Sequence, residues 1–203
     1  TANYVNYYGM ANGLPLDDPE SGFDPKHPFK NRDPRFYHDI VFDGFQYINT
    51  TIAKDHPDYQ FKYVQMYSGS NLRSSSDNGC RTGYYCQKLV PHQANKYDGM
   101  YNWGGALQCD LPYMRLADIY LMYAEAGAAA QGATYKSSKC NLTAEDAINV
   151  LRDRVEAGHV AAKFAADQHK FMDEVRRERA VELAFEGFRW NDLQRWLLLT
   201  EYP

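Results

Sequence analysis

Residues 178–196 read Glu178-Arg179-Ala180-Val181-Glu182-Leu183-Ala184-Phe185-Glu186-Gly187-Phe188-Arg189-Trp190-Asn191-Asp192-Leu193-Gln194-Arg195-Trp196, and they settle the architecture. Glu178, Glu182 and Glu186 recur every four residues, which puts three carboxylates on one helix face. Like charges so spaced cost roughly 0.2–0.5 kcal/mol per pair even in water. Buried and unpaired, they would cost several kcal/mol each. Such a helix requires guanidinium groups brought to it. Arg189 and Arg195 follow directly, and Arg115, Arg152 and Arg154 are available from elsewhere. The pattern is that of an ion-paired structural element, not a reaction centre.

Upstream of this stretch the helical pattern continues. The acidic helix is expected from about Asp167 to Phe185, with Gly187 as its stop. A short helix after it holds Leu193, Trp196 and Leu197. Thr143 and Asp146 form a weak capping box that opens a helix with Ile148, Leu151 and Val155 inward, ended by Gly158. Before it, Asp110 caps a helix with Pro112 in its first turn. Met114, Ala117, Leu121, Ala124 and Ala128 make its buried stripe, and Gly132 ends it. A small-residue helix, a short loop and an amphipathic partner resemble one antiparallel tetratricopeptide-like pair.

The first half differs. Gly and Pro punctuate residues 1–35, which read as an irregular segment following the surface. Asp33-Pro34 can start a helical turn. Phe36 to Phe42 also alternates as a strand leading into Asp43-Gly44, a favoured hairpin turn, with Phe45 to Thr51 returning. A helical turn passing into extended chain accommodates both. Phe61 to Tyr67 alternates again, as a further short strand. Twelve of the 17 tyrosines precede residue 104. The composition shifts at Trp103-Gly104-Gly105, dividing a loop-rich aromatic segment, 1–103, from a helical part, 104–203. The fold class is therefore mostly α, with an irregular half carrying short strands.

The totals exclude several classes of function. A net charge of −4 and a pI near 5.8 argue against a nucleic-acid partner, because no basic stripe exists to displace counterions. The longest apolar run is far too short to span a bilayer. Thr1-Ala2-Asn3-Tyr4 has no leader character, so an export address, if any, lies upstream. Cys80, Cys86, Cys109 and Cys140 lack zinc-site spacing. Cys80 and Cys86 bracket a loop that one disulfide could staple, and free thiols are the alternative. His27, His38, His56, His92, His159 and His169 never fall at metal-ligand spacing. No cofactor is implied.

Three blocks, in order, carry a resemblance. The first runs from Val5 to Gly13, then Gly22-Phe23-Asp24-Pro25 and Asn31-Arg32-Asp33-Pro34-Arg35-Phe36. The second is Tyr113-Met114-Arg115-Leu116-Ala117-Asp118-Ile119-Tyr120-Leu121-Met122-Tyr123-Ala124-Glu125-Ala126. The third is the 178–196 stretch. Together they resemble the SusD/RagB family over nearly the whole chain. The resemblance implies a SusD-like, mostly helical fold with tetratricopeptide-like pairs. It implies a surface lipoprotein of the outer membrane that binds glycan or peptide and caps a SusC-like TonB-dependent transporter. Family chains are usually more than twice as long, with a lipidated N-terminal cysteine, so a fragment is expected whose only membrane link is a lipid anchor outside it.

Arg35, Glu125, Glu178, Glu182, Glu186, Arg189 and Arg195 are assigned to structural ion pairs. Trp190 and Trp196, inside the helical signature, are assigned to the core. A glycosidase needs two carboxylates at defined separation. Asp17, Asp18, Asp24 and Asp110 are the loop acids available, and no spacing selects a pair, so no catalytic residue is expected. Aromatic rings in loops are the feature with binding physics: the C–H face of a pyranose lies on a ring while neighbouring polar groups orient its hydroxyls. Tyr7, Tyr8, Tyr67, Tyr84, Tyr85, Tyr101 and Trp103 are the candidates. The leading expectation is non-catalytic glycan capture. The alternatives are a tetratricopeptide-like protein-interaction module or a peptide-binding RagB-like protein, and more remotely a loop-based hydrolase.

Overall fold

The computed structural model describes residues 1–70, 72–73, 79–99 and 112–200. The chain is mostly helical. In order come α1 (Ala2–Val5), α2 (Pro34–Asp39), β1 (Ile40–Val41), a 3-10 turn (Pro57–Phe61), β2 (Tyr85–Cys86), α3 (Leu116–Ala130), α4 (Ala144–Arg154), α5 (Ala162–Ala165), α6 (Gln168–Glu182) and α7 (Arg189–Arg195). They divide into two compact units, one of Thr1–Val5 and Tyr37–Leu111, the other of Asn6–Phe36 and Pro112–Pro203. Residues 6–36 thus belong with the helical part. The composition shift at Trp103-Gly104-Gly105 and the capping role of Asp110 lie outside the described residues.

In the helical unit, α3, α4 and α6 pack around a core that includes Ala124, Ala128, Ala147, Ile148, Phe171 and Val175. Alanines on α3 let the helices approach closely. A Cβ on Gly127 would stand 2.7 Å from the Ala144 Cβ and 2.9 Å from the Tyr135 ring, so no larger residue fits there. α3 starts at Leu116, later than its sequence pattern indicates, and Met114 lies exposed ahead of it. It stops where Gly132 turns to φ 93°. The α4 capping box closes fully despite the short aspartate: the Asp146 N–H donates to Thr143 Oγ1, and the Thr143 N–H donates to Asp146 Oδ2. α4 ends at Arg154, four residues before Gly158, and leaves Val155 only half-buried. Asp167 caps α6 by accepting the Lys170 N–H at 2.9 Å.

α6 ends at Glu182, since the chain reverses at Phe185 (φ 64°) and Gly187 (φ 87°). Glu186 therefore lies in the turn beyond the helix, and the helical ladder is Glu174, Glu178 and Glu182. The neutralising arginines are mostly distant in sequence. Arg35 reaches Glu178 at 2.5 Å and Glu182 at 3.0 Å while gripping Asp33. Arg152, almost wholly buried, joins Glu178 (2.9 Å) to Glu174 (3.0 Å). Arg115 spans Glu182 and Glu186, and Arg154 adds a second contact to Glu182. Arg179 leaves the other side of α6 to join Asp118 of α3 and Asp192 of α7. Glu125 takes Arg195 and the Trp196 indole N–H. Arg189 departs from its expected role: among the described residues it pairs with no carboxylate, because α7 turns it toward Tyr7. Trp190 is 62% exposed, Trp196 is half-buried and Leu197 is exposed, so α7 does not bury its aromatic face.

In the first unit, β1 pairs antiparallel with β2, Ile40 opposite Cys86 and Val41 opposite Tyr85. The segment after the Asp43-Gly44 turn does not return along β1. It pairs with residues 62–64 instead, through Tyr47 N–H to the Lys62 carbonyl and Val64 N–H to the Phe45 carbonyl. The 61–67 stretch forms only an isolated bridge at Tyr63, following the 3-10 turn. Asp98 ties two loops by accepting the Asn49 and Thr50 N–H groups and the Asn95 amide. Slight burial pushes its carboxyl up, but these donors outweigh that and hold it below the usual range. Cys80, Cys86 and Cys140 are free thiols. The 80–86 staple does not form: Cys80 Sγ rests on the Tyr84 carbonyl and Cys86 Sγ on the Lys88 carbonyl.

Glu178 is the group on which the helical unit's charge balance turns. Burial alone would push its carboxyl up, yet the Arg35 and Arg152 guanidiniums more than offset this and hold it at about 2. A glutamate in the unfolded chain titrates near about 4.3. With the folded value the lower of the two, the unfolded chain takes up its proton first. The resulting stabilisation is complete above about pH 5 and is lost as the pH falls toward 2. Glu178→Gln is expected to cost about 3–5 kcal/mol at pH 7, since it takes one carboxylate charge away from two buried arginines. It should also flatten the acid dependence between those limits. Urea midpoints across the range check both, and a variant as stable as the parent at pH 7 would refute the assignment.

Candidate functional site

Four aromatic side chains of the first unit, Tyr47, Phe61, Tyr63 and Tyr85, border a pocket of about 490 Å³. Local structure explains their convergence. The 3-10 turn delivers Phe61, with Pro57 at its start and His56 accepting the Asp58 N–H. The Gln46–Tyr63 bridge sets Tyr47 and Tyr63 on adjacent segments, and the β1–β2 pair brings Tyr85 opposite Val41. Gln60 and Gln65 add amide groups, and Val41, Val64 and Leu72 complete the lining. No Asp, Glu, Lys, Arg or His is among these residues.

The period-two alternation of residues 61–67 survives, but with its faces assigned unexpectedly. Phe61, Tyr63, Gln65 and Tyr67 are exposed, whereas Met66 is buried. A run of this kind in a half-buried strand would place its rings inward. Here the rings face out, with Phe61 58% exposed. An exposed apolar surface of rings and aliphatic side chains is unfavourable in water and marks a surface to be covered. Rings flanked by neutral amides present both an apolar platform and hydrogen-bonding groups that orient a polar ligand.

The sequence candidates scatter relative to this pocket. Tyr85 lines it. Tyr67 is exposed on the same alternating run but is not part of the lining, and Tyr84 is half-buried beside Tyr85. Tyr8 is fully buried with its ring edge against Phe36, so it serves packing and offers no face to a ligand. Tyr7 belongs to the helical unit, under the Arg189 guanidinium at 4.7 Å. Tyr101 and Trp103 lie outside the described residues. Tyr47, Phe61 and Tyr63 were not among the candidates because Phe45 to Thr51 and Phe61 to Tyr67 read as strands, while the candidates were chosen in loop-like contexts. The signal that would have found them is the pairing of Phe61 and Tyr63 with Gln60 and Gln65.

Of the acids considered for hydrolysis, Asp17, Asp18 and Asp24 belong to the helical unit. Asp18 is held by Lys163 at 2.7 Å, Asp24 by His27 at 2.7 Å, and Asp17 is exposed; Asp110 lies outside the described residues. The Lys163 hydrogen bond to Asp18 and the His27 hydrogen bond to Asp24 keep both carboxyls below the usual range. Among the described residues, no group of three His, Cys, Asp or Glu could hold a metal ion, and no helix is long and apolar enough to cross a membrane.

The model of the SusD family matches residues 1–202. A SusD-like protein from Bacteroides fragilis is 26% identical with a TM-score of 0.65, over 98% of this chain and 36% of that one. A SusD-like carbohydrate-binding protein from the same species is 23% identical with a TM-score of 0.63, over 97% of this chain and 35% of that one. The chain thus spans about a third of the length of these relatives. No curated protein matches it. The chain belongs to the SusD family.

Exposure separates binding residues from packing residues in stability. Phe61→Ala and Tyr63→Ala are expected to shift the unfolding free energy by no more than about 0.5 kcal/mol. Tyr8→Ala, which empties a buried site, should cost about 3–5 kcal/mol. Urea denaturation of the three variants checks the division, and equal losses in all three would contradict it.

Proposed function

We propose that this member of the SusD family binds glycan without catalysis at the bacterial cell surface, for delivery to a SusC-like TonB-dependent transporter in the outer membrane. The pocket bordered by Tyr47, Phe61, Tyr63 and Tyr85 is the capture site. The observation that carries this reading is the chemistry of its lining: four aromatic rings and two neutral amides, with no charged side chain among the described residues. The C–H faces of pyranose rings gain burial on such rings, and Gln60 and Gln65 supply donors and acceptors for hydroxyl groups. Rings and neutral amides of this kind favour uncharged sugars. Hydrolysis would need paired carboxylates across the ligand, and this lining holds none. Attachment to the membrane would come from a lipid anchor beyond the 203 residues.

A second reading, an interaction module for protein partners, draws on α3. That helix exposes Leu116, Ile119 and Met122 on the side away from its buried alanines. A face of this kind suits another helix as well as it suits a transporter surface.

Calorimetric titration of neutral oligosaccharides into the chain tests the first reading. Binding is expected to weaken by about tenfold or more in Phe61→Ala and in Tyr63→Ala, the equivalent of about 1.4 kcal/mol or more of lost contact. Retained affinity in both variants would remove the pocket from the function. Release of shortened sugar during the titration would convert the proposal from capture to hydrolysis.

A further inference from the structure

The helical unit holds a pocket of about 440 Å³ beside α6, and its chemistry is opposite to that of the aromatic pocket. Four cationic side chains line it, Lys170, Arg176, Arg177 and Arg189, against three carboxylates, Asp17, Asp173 and Glu174. Two of those carboxylates are committed. Glu174 is shared between Arg152 and Arg177, and Asp173 takes Arg176 Nη1 at 3.2 Å. The positive charge that remains centres on Arg189. This side chain donates Nη2 to the Tyr7 hydroxyl at 2.8 Å and stacks on the Tyr7 ring. Its Nη1 is buried with no acceptor, and so is Arg176 Nε.

Buried guanidinium N–H groups without partners are rare in folded proteins and call for an acceptor. Two of them here belong to residues on one pocket wall. We propose that this pocket binds a ligand carboxylate, seated against Arg189 and Arg176. The planar guanidinium fork matches a carboxylate's two oxygens. A single negative charge suits the site better than a phosphate, because Asp17 also faces it. Phe164, Pro15, Leu198 and the Tyr7 ring supply the apolar contact that a carboxylate-bearing sugar or a short acidic peptide would bury. Trp196 stacks beneath both arginines, at 5.5 Å from Arg176 and 5.9 Å from Arg189, and holds the guanidiniums in place. This site is independent of the aromatic pocket and of the neutral glycan assigned there.

The test is a calorimetric titration of the 203-residue chain with digalacturonate, its methyl ester, an acidic dipeptide and a neutral maltose oligomer. Digalacturonate or the dipeptide is expected to bind, the stronger of the two identifying the source of the carboxylate. Esterification should reduce binding by about tenfold or more, since it removes the charge-assisted pairing. Arg189→Gln and Arg176→Gln should do the same, while Phe61→Ala leaves the carboxylate ligand unaffected. Binding of the ester as tight as that of the acid, in the unmodified chain, would overturn the proposal without reliance on any variant. So would the failure of both acids to bind at millimolar concentration. A parallel loss for the neutral oligomer in Arg189→Gln would also count against a separate site.

Discussion

The helical unit depends on the neutralisation of one buried acidic ridge. Glu174, Glu178 and Glu182 stand one turn apart along α6, inside a unit whose interior excludes the water that would otherwise solvate them. Each is met by at least one arginine, and Glu178 and Glu182 receive arginines from separate parts of the chain. Arg35 arrives from the loop-rich beginning of the sequence and Arg152 from α4, so one carboxylate ties the start of the unit to its helices. Arg179 extends the same logic through α6 to Asp118 and Asp192. A buried pair of this sort is weak evidence for net stability, because desolvation opposes the Coulomb gain. What the network does is join segments distant in sequence: residues 33–35, α3, α4 and α6 meet at its charges.

Local features of this fold were legible in the sequence, and long-range partners were not. Pro34 opens α2, the Thr143–Asp146 box opens α4, Asp167 caps α6, and Gly132 ends α3, because each signal acts within four residues. Arg115, Arg152 and Arg154 were named for the ridge and do meet it, but which carboxylate each takes was not legible, nor was the part played by Arg35. Arg35 lies 143 residues from Glu178, and nothing in either neighbourhood records the pairing. Proximity in sequence favoured Arg189 and Arg195 instead. α7 carries Arg195 to Glu125 and Asp192 and leaves Arg189 on Tyr7. The end of α6 was placed one turn too late for a related reason. Glu186 continues the four-residue spacing, yet the backbone reverses at Phe185, and Arg115 reaches Glu186 in the turn all the same.

The two pockets divide binding chemistry between the two units. One offers aromatic rings with neutral amides, the other stacked guanidiniums with unmet donors. Sequence reasoning selected aromatic rings of the irregular half by their polar neighbours in loops. Of the rings that converge, Phe61 and Tyr63 belong to the alternating run that reads as a strand. Whether an alternating run turns its rings inward depends on what covers it, and in this unit the short strand pairs leave that face open.

A double-mutant cycle on Arg152 and Glu178 tests the ridge most directly. Arg152→Met, Glu178→Gln and the pair together would be unfolded in urea at pH 7. The account predicts strong coupling, with the double variant more stable than the sum of the single losses implies by at least about 1 kcal/mol, because each single change strands its partner. Losses that add to within about 0.3–0.5 kcal/mol would show two independent residues and contradict the account.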